Sequence, residues 1–194
     1  MAVNVIFNLV NTNQLENAIR LELEGYPTDE AASLESFRLR QFLAGELFLG
    51  AFRPGSSSPE LVGFICGTRA SGSTLTHESM SQHTPDGPSV CIHSVCVSAS
   101  YRRQGIALGL LKEYFSRVLR CQPKVERILL IAHEELIPLY VKAGFELVGK
   151  SSVAHGARPW YEMCLVLPPM PFEEVDPLIS GGDVCSVEHL PVEY

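Results

Sequence analysis

Apolar residues fall along this chain in two alternating patterns, one of period two and one of period near 3.6, and the switches between them mark out its elements. Val3, Val5, Phe7 and Leu9 share one face of a predicted strand over residues 3–10. Thr12 and Asn13 follow as helix caps, and Glu16 stands three places after Asn13 in capping-box spacing. Leu15, Ile19 and Leu23 then recur at helical spacing until Gly25-Tyr26-Pro27 stops the helix. A second helix is predicted from about Asp29 to Leu43, with Ala32, Phe37, Leu39 and Phe42 available for burial. The loop between these helices carries Tyr26, Pro27 and Thr28, an aromatic and a rigid turn at a potential pocket mouth.

A meander comes next. Strands are predicted over 47–52 and 61–68, separated by a turn region rich in Pro, Gly and Ser. Residues 70–89 are polar and form a long loop with a short helix near Thr76–Ser81; a loop of that length in a compact domain is more often functional than filler. Val90–Val97 is a strongly apolar strand interrupted by His93-Ser94. The second half opens on Arg102-Arg103-Gln104-Gly105, then a helix with Ala107, Leu110, Leu111, Tyr114, Phe115, Val118 and Leu119 on one face. A strand (127–132), a short helix (about 135–142) with Pro138 early in it, a Gly144 stop and strands over 145–149 and 160–167 complete the pattern. The order β-α-α-β-β-β-α-β-α-β-β predicts one α/β domain over residues 1–167 with a mixed sheet flanked by helices, followed by a C-terminal extension over 168–194.

Composition narrows the function classes. At 194 residues and 46% hydrophobic, the chain is long enough to bury a core without metals or cross-links. A net charge of -7 and a pI near 5.4 argue against nucleic acid as a partner, which needs a basic face. No apolar run approaches a membrane span, and the first residues lack the basic start and apolar core of an export signal, so a cytoplasmic protein with no membrane partner is expected. The six cysteines (66, 91, 96, 121, 164 and 185) show no metal-ligand spacing; they are expected to be reduced thiols, and no metal is expected.

The stretch from Val95 to Leu108 carries the most chemistry. It runs strand, tight loop, helix N-terminus, so backbone N–H groups from Arg102 to Ala107 converge at the positive end of a helix. Gly105 and Ala107 keep side chains small where a phosphate must approach, and Arg102 and Arg103 add charge. The loop reads as an anion cradle suited to a pyrophosphate, or else as an ordinary helix start with a basic first turn. It has neither the Gly-Lys-Ser/Thr ending of a Walker loop nor the three glycines of a dinucleotide fold.

Arg-x-x-Gly-x-Ala at 102–107, after an apolar strand, resembles the acetyl-CoA signature of the GNAT (GCN5-related N-acetyltransferase) superfamily. Leu139-Tyr140-Val141-Lys142-Ala143-Gly144-Phe145-Glu146 resembles that superfamily's final helix-to-strand turn. Three shorter matches resemble the arylalkylamine (serotonin) N-acetyltransferases: Leu75-Thr76-His77-Glu78-Ser79-Met80, Cys91-Ile92-His93-Ser94-Val95-Cys96-Val97 and Glu134-Glu135-Leu136-Ile137-Pro138-Leu139-Tyr140. The resemblance implies a GNAT fold with a mostly antiparallel sheet, acetyl-CoA as cosubstrate and direct acetyl transfer to a primary amine.

By the same resemblance, His93 is the expected proton acceptor for the amine and Tyr140 the general acid for the CoA thiolate. Val95, Cys96 and Val97 would hold the pantetheine arm through their backbones, with the Val95 N–H polarising the thioester, and Arg102, Arg103, Gln104, Gly105, Ile106, Ala107 and Leu108 would hold the pyrophosphate. Tyr26, Pro27 and Ile131 are expected against the amine, and Phe7, Phe37 and Trp160 are further apolar candidates that equally suit a core. Cys91 stands where the family pattern has a first histidine, and a neutral thiol is a poor proton relay. Two other readings stay open: a GNAT enzyme for polyamines or for peptide and protein amines, and a non-catalytic acyl-CoA sensor. Glu22, Glu24, Asp29 and Glu30 could serve a polyamine.

Overall fold

The described residues of the computed structural model are 3–55, 58–153 and 155–169; the expected extension beyond 169, with Cys185, lies outside them. Seven strands form one sheet in the order β1-β2-β3-β4-β5-β7-β6. They are β1 (Ile6–Leu9), β2 (Phe48–Arg53), β3 (Glu60–Ala70), β4 (Ser89–Val97), β5 (Arg127–Ala132), β6 (Glu146–Lys150) and β7 (Tyr161–Val166). Every pairing is antiparallel except β4 with β5, which is parallel and is crossed by the longest helix, α4 (Ile106–Cys121). The mixed α/β architecture expected from the element order is the one observed.

Two core layers sandwich the sheet. On one face Leu110, Leu111, Tyr114, Phe115 and Val118 of α4 pack with Val90, Ile92, Ile128 and Leu130, together with Tyr140 of α5 (Ile137–Ala143). On the other, α1 (Leu15–Gly25) and α2 (Leu34–Ala44) cover Phe48, Phe64, Cys66 and Cys96. Phe37 meets Phe48 and Phe64 edge-on at 5.5 and 5.4 Å, contacts worth ~0.5–1.5 kcal/mol each beyond the area they bury.

Several local expectations shift. The capping box lies earlier than expected, where Asn11 and Gln14 bond each other's backbone N–H region around the turn Thr12–Gln14. α2 begins at Leu34 rather than Asp29, because Ser33 caps it by accepting from the Ser36 N–H, while the Glu30 and Ala31 N–H groups turn back onto the Pro27 carbonyl. That start points Phe37 and Ala44 at the sheet and leaves Leu39 and Phe42 outside, with Phe42 83% exposed. Leu9, on the edge strand β1, is also exposed. The short helix expected near residue 76 is α3 (His77–Ser81), capped reciprocally by Thr76 and Ser79. Cys66, Cys91, Cys96 and Cys164 are free thiols.

Candidate active site

The site begins where the parallel pair opens. β4 pairs with β5 only from Ser89 to Cys91, so from Ile92 onward the β4 edge that faces β5 is released from the ladder. On its other edge β4 stays bonded to β3, but the register slips between Cys66 and Gly67: Ser94 pairs with Cys66 and Ile92 with Gly67, leaving His93 as the extra residue of a β-bulge. A strand normally turns successive side chains to opposite faces. Here Cys91, His93, Ser94 and Cys96 all turn to the α1–α3 face, while Val90, Ile92, Val95 and Val97 face α4.

His93 sits half-buried, with Nε2 2.7 Å from Thr68 Oγ1 and with Nδ1 buried without a protein partner. Burial, with Arg40 and His155 nearby as further cationic pressure, holds its imidazolium well below the usual 6.5, so the ring is neutral at pH 7. Cys91 is buried beside Ser79, and desolvation raises its thiol to about 11, which keeps it protonated and unreactive. It packs with Ala70, Leu75, Leu129 and Val153.

Two phenols meet the free edge from opposite faces. Tyr140 reaches it from α5, whose Pro138 lies in the first turn and whose Gly144 ends the helix at φ +107. Burial raises the Tyr140 phenol above its usual 10, with the Cys96 thiol adding to the effect. Tyr26 comes from the loop after α1, and its Oη accepts the Val95 N–H at 3.4 Å. Burial first, then Cys96 and Tyr140, raise its pKa well above 10. The Val95 N–H therefore points into the opening between β4 and β5, and both phenols carry their protons there.

The α1–α2 loop is held over this opening by buried polar contacts. Glu22 accepts from the Ala32 N–H at 3.0 Å, from Ser94 Oγ at 2.9 Å and from Cys96 Sγ at 3.2 Å. Desolvation nonetheless raises its pKa above 4.5. Glu30 Oε2 lies 3.0 Å from His133 Nε2, both side chains buried. The other ring nitrogen of His133 lies 3.1 Å from the Pro159 carbonyl, and the ring stacks on Trp160 at 3.8 Å. The loop between β6 and β7 thus closes against the α1–α2 loop. At Gly156, with φ +66, a Cβ would come within 2.8 Å of Asp29 Oδ2 and 2.9 Å of Glu30 Oε1, so the contact requires glycine.

At the far end of β4 lies the cradle. Gly105 caps α4 with φ +85 and no side-chain bond, and a Cβ there would meet open space. The first-turn N–H groups of α4 from Ile106 to Leu108 are thus presented without a cap, as an anion site requires. Arg103 is exposed at φ +62, a conformation that costs a non-glycine residue ~1–2 kcal/mol. Arg102 Nε donates to the Val97 carbonyl at 3.0 Å and Nη2 to the Glu24 carbonyl at 3.2 Å, clamping β4 to the end of α1. Gln104 bonds back to the Ser100 carbonyl. The free β4 edge, the uncapped helix start and Arg103 fit a pantetheine arm and pyrophosphate.

Of the other expected residues, Ile131 projects from β5 to the same face as Leu129 and Cys91, and Pro27 begins the covering turn. Phe7 packs on the α4 side against Gly109, and Phe37 is core, so neither joins the site. Trp160 is buried and stacks on His133. Sequence reasoning did not single out Arg40, His133 or His155, which stand in this region; Glu22 and Glu30 entered it only among the acids that could serve a polyamine. The small apolar hollow lined by Leu47, Leu49, Tyr114 and Val118 lies on the α4 side and is separate from this site.

The opened parallel pair thus brings together a bulged histidine, a buried phenol and an uncapped helix start. Residues 59–166 match the family described as acetyltransferase (GNAT) domain, and the chain belongs to that family. Among its relatives, a serotonin N-acetyltransferase from Mesocricetus auratus is 35% identical over 130 residues, covering 67% of this chain and 60% of that protein. One from Macaca mulatta is 32% identical over 139 residues, covering 72% and 66%. The chain thus spans about two thirds or less of these relatives' lengths. In fold it is similar to a chain of the NatC complex bound to Gag peptide and CoA, with a TM-score of 0.68 at 18% identity, covering 85% of this chain and 99% of that one.

Proposed function

We propose that this protein is an acetyl-CoA-dependent N-acetyltransferase that acts by direct transfer on the primary amine of an arylalkylamine. The observation that carries the reading is the bulge in β4, which sets a neutral histidine beside a free strand edge faced by two protonated tyrosines. The likeness to serotonin N-acetyltransferases supports the aryl part of the assignment.

Acetyl-CoA brings an activated thioester to the edge of β4, and the protein's own groups do the rest. An alkylamine with a pKa of ~10 arrives as an ammonium ion and must lose a proton before it can attack. His93, neutral at pH 7, receives that proton. The Val95 N–H, once released by Tyr26, donates to the thioester oxygen as it gains charge. Tyr140 gives its proton to the departing sulfur; burial keeps that proton in place at neutral pH. The exposed Arg103 and the first turn of α4 hold the pyrophosphate.

A polyamine fits less well, because the carboxylates that would receive it are engaged: Glu22 by Ala32, Ser94 and Cys96, and Glu30 by His133. An extended peptide needs an open groove, and the two loops packed at Gly156 close that path.

The test is thiol release from acetyl-CoA with tryptamine, phenethylamine and spermidine, for wild type and His93→Ala. Turnover of the two arylalkylamines is expected, with a loss of about 100-fold or more in the variant. Turnover of spermidine alone overturns the substrate class. Acetyl-CoA binding without acetylation of any amine favours the sensor.

A further inference from the structure

The opening between β4 and β5 is spanned by one segment, residues 26–33 of the α1–α2 loop. On the β4 side it is fastened twice. Tyr26 Oη accepts the Val95 N–H, and Glu22, which holds the Ala32 N–H, also accepts from Ser94 and Cys96. Across the opening stands His133, the residue that follows β5. Among the described residues, the hydrogen bond that carries this loop over to the β5 side is the one between Glu30 and His133.

That contact is sealed from water: the Glu30 side chain is 2% exposed and that of His133 8%, unlike a surface ion pair, whose value solvent erodes. The His133 ring is set on three sides. Its Nδ1 lies 3.1 Å from the Pro159 carbonyl, which can only accept, so Nδ1 carries a hydrogen. The 3.0 Å contact of Nε2 with Glu30 Oε2 then takes one further proton, on the ring or on the carboxyl, and with it both ring nitrogens are satisfied. Trp160 stacks on the ring at 3.8 Å, and its own Nε1 donates to the His155 carbonyl at 2.7 Å, which fixes the indole. His133 is thus the anchored half of the pair, and Glu30, carried on a loop, is the half that can leave. Among the described residues neither side chain hydrogen-bonds to His93 or Tyr140, so the pair acts through the loop it holds.

We propose that His133 is a positioning residue that latches the α1–α2 loop across the opening through Glu30, and that this latch limits the site to slender amines. The inference rests on the acetyltransferase reading above and adds to it what sets the size of the acceptor. With the latch made, an acceptor must fit beneath a loop pinned at both ends. An arylalkylamine ends in a single unbranched chain and passes under it. A peptide carries a side chain and an amide on the carbon that bears its amine, and needs the loop lifted.

The experiment compares wild type, Glu30→Ala, His133→Ala and Glu30→Gln in two ways: amide hydrogen exchange, and thiol release from acetyl-CoA with phenethylamine or trialanine amide. In both alanine variants the Ala31 and Ala32 amides are expected to exchange at least about tenfold faster, with exchange in α4 unchanged. In the same variants KM for phenethylamine is expected to rise about tenfold at nearly constant kcat, and turnover of trialanine amide to rise about tenfold or more. Glu30→Gln rescues both properties, because its side-chain N–H donates to Nε2 while Nδ1 keeps its hydrogen. Unchanged loop exchange in Glu30→Ala overturns the latch, and so does a glutamine variant as loose as the alanine one. Faster exchange without any change in acceptor range in an active enzyme overturns the role in selectivity and reduces the pair to a stabilising contact. Faster exchange in the alanine variants of a protein that acetylates neither amine even as wild type supports the latch and overturns the acetyltransferase reading instead.

Discussion

Cys91 and His93 lie two positions apart on β4, yet the bulge gives them different surroundings: one is sealed among aliphatic side chains, the other faces the opening. Restoring a histidine at position 91 would therefore not restore a relay. The site has no exposed surface and is filled by Ala70, Leu75, Leu129 and Val153. An imidazole there overpacks the core and brings a polar nitrogen with only Ser79 at hand. Cys91→His is expected to cost about 1–3 kcal/mol, seen as a lower urea midpoint, with no gain in kcat. A faster enzyme of unchanged stability would show that the cavity yields and that a histidine at 91 joins the path after all.

At the scale of elements, Glu22 ties α1, the α1–α2 loop and β4 into one unit through three donors. Burial outweighs those donors and raises the pKa of the carboxyl in the folded state. The folded protein thus holds this proton more tightly than the unfolded chain does. The corresponding stability is full below the ordinary value near 4.5 and is lost as pH rises through the raised value. Glu22→Gln does not titrate, so its urea midpoint minus that of wild type is expected to increase as pH climbs from about 4 to neutrality. A difference that shrinks with pH would mean the three donors stabilise the ionised form instead. Such elements were unevenly legible in the sequence. The helix start at Gly105–Ile106 could be read because helix-start geometry is local, and the Gly144 stop because a left-handed helix end is local too. The start of α2 was misplaced by five residues because the turn at Pro27 takes the N–H groups of Glu30 and Ala31, which a helix would have used. The one mark of the bulge was the consecutive polar pair His93-Ser94, which in an otherwise apolar strand does not by itself tell a bulge from a buried polar contact. His133, His155 and Glu30 come together only through loops far apart in the chain, where no periodicity operates.

The whole molecule joins two halves, β1–β4 with α1–α3 and β5–β7 with α5, across the single parallel pair bridged by α4. Ligands of open α/β sheets gather beyond the carboxyl ends of parallel strands, and here the strands part at that end. Tyr26 and His93 come from the first half and Tyr140 from the second, so the proposed site draws on both. The junction also sets a condition on acetyl-CoA binding. The Val95 N–H that suits the thioester oxygen is held by Tyr26 Oη at 3.4 Å, and that bond must break when the thioester docks. A hydrogen bond of this kind is worth ~0.5–1.5 kcal/mol net. Tyr26→Phe removes the competitor while keeping the ring, so acetyl-CoA is expected to bind about 2- to 10-fold more tightly, measured by calorimetry without amine. Weaker binding would reverse the assignment: the Tyr26 hydroxyl would then be a contact of the bound cosubstrate, and the α1–α2 loop would close with the ligand, not against it.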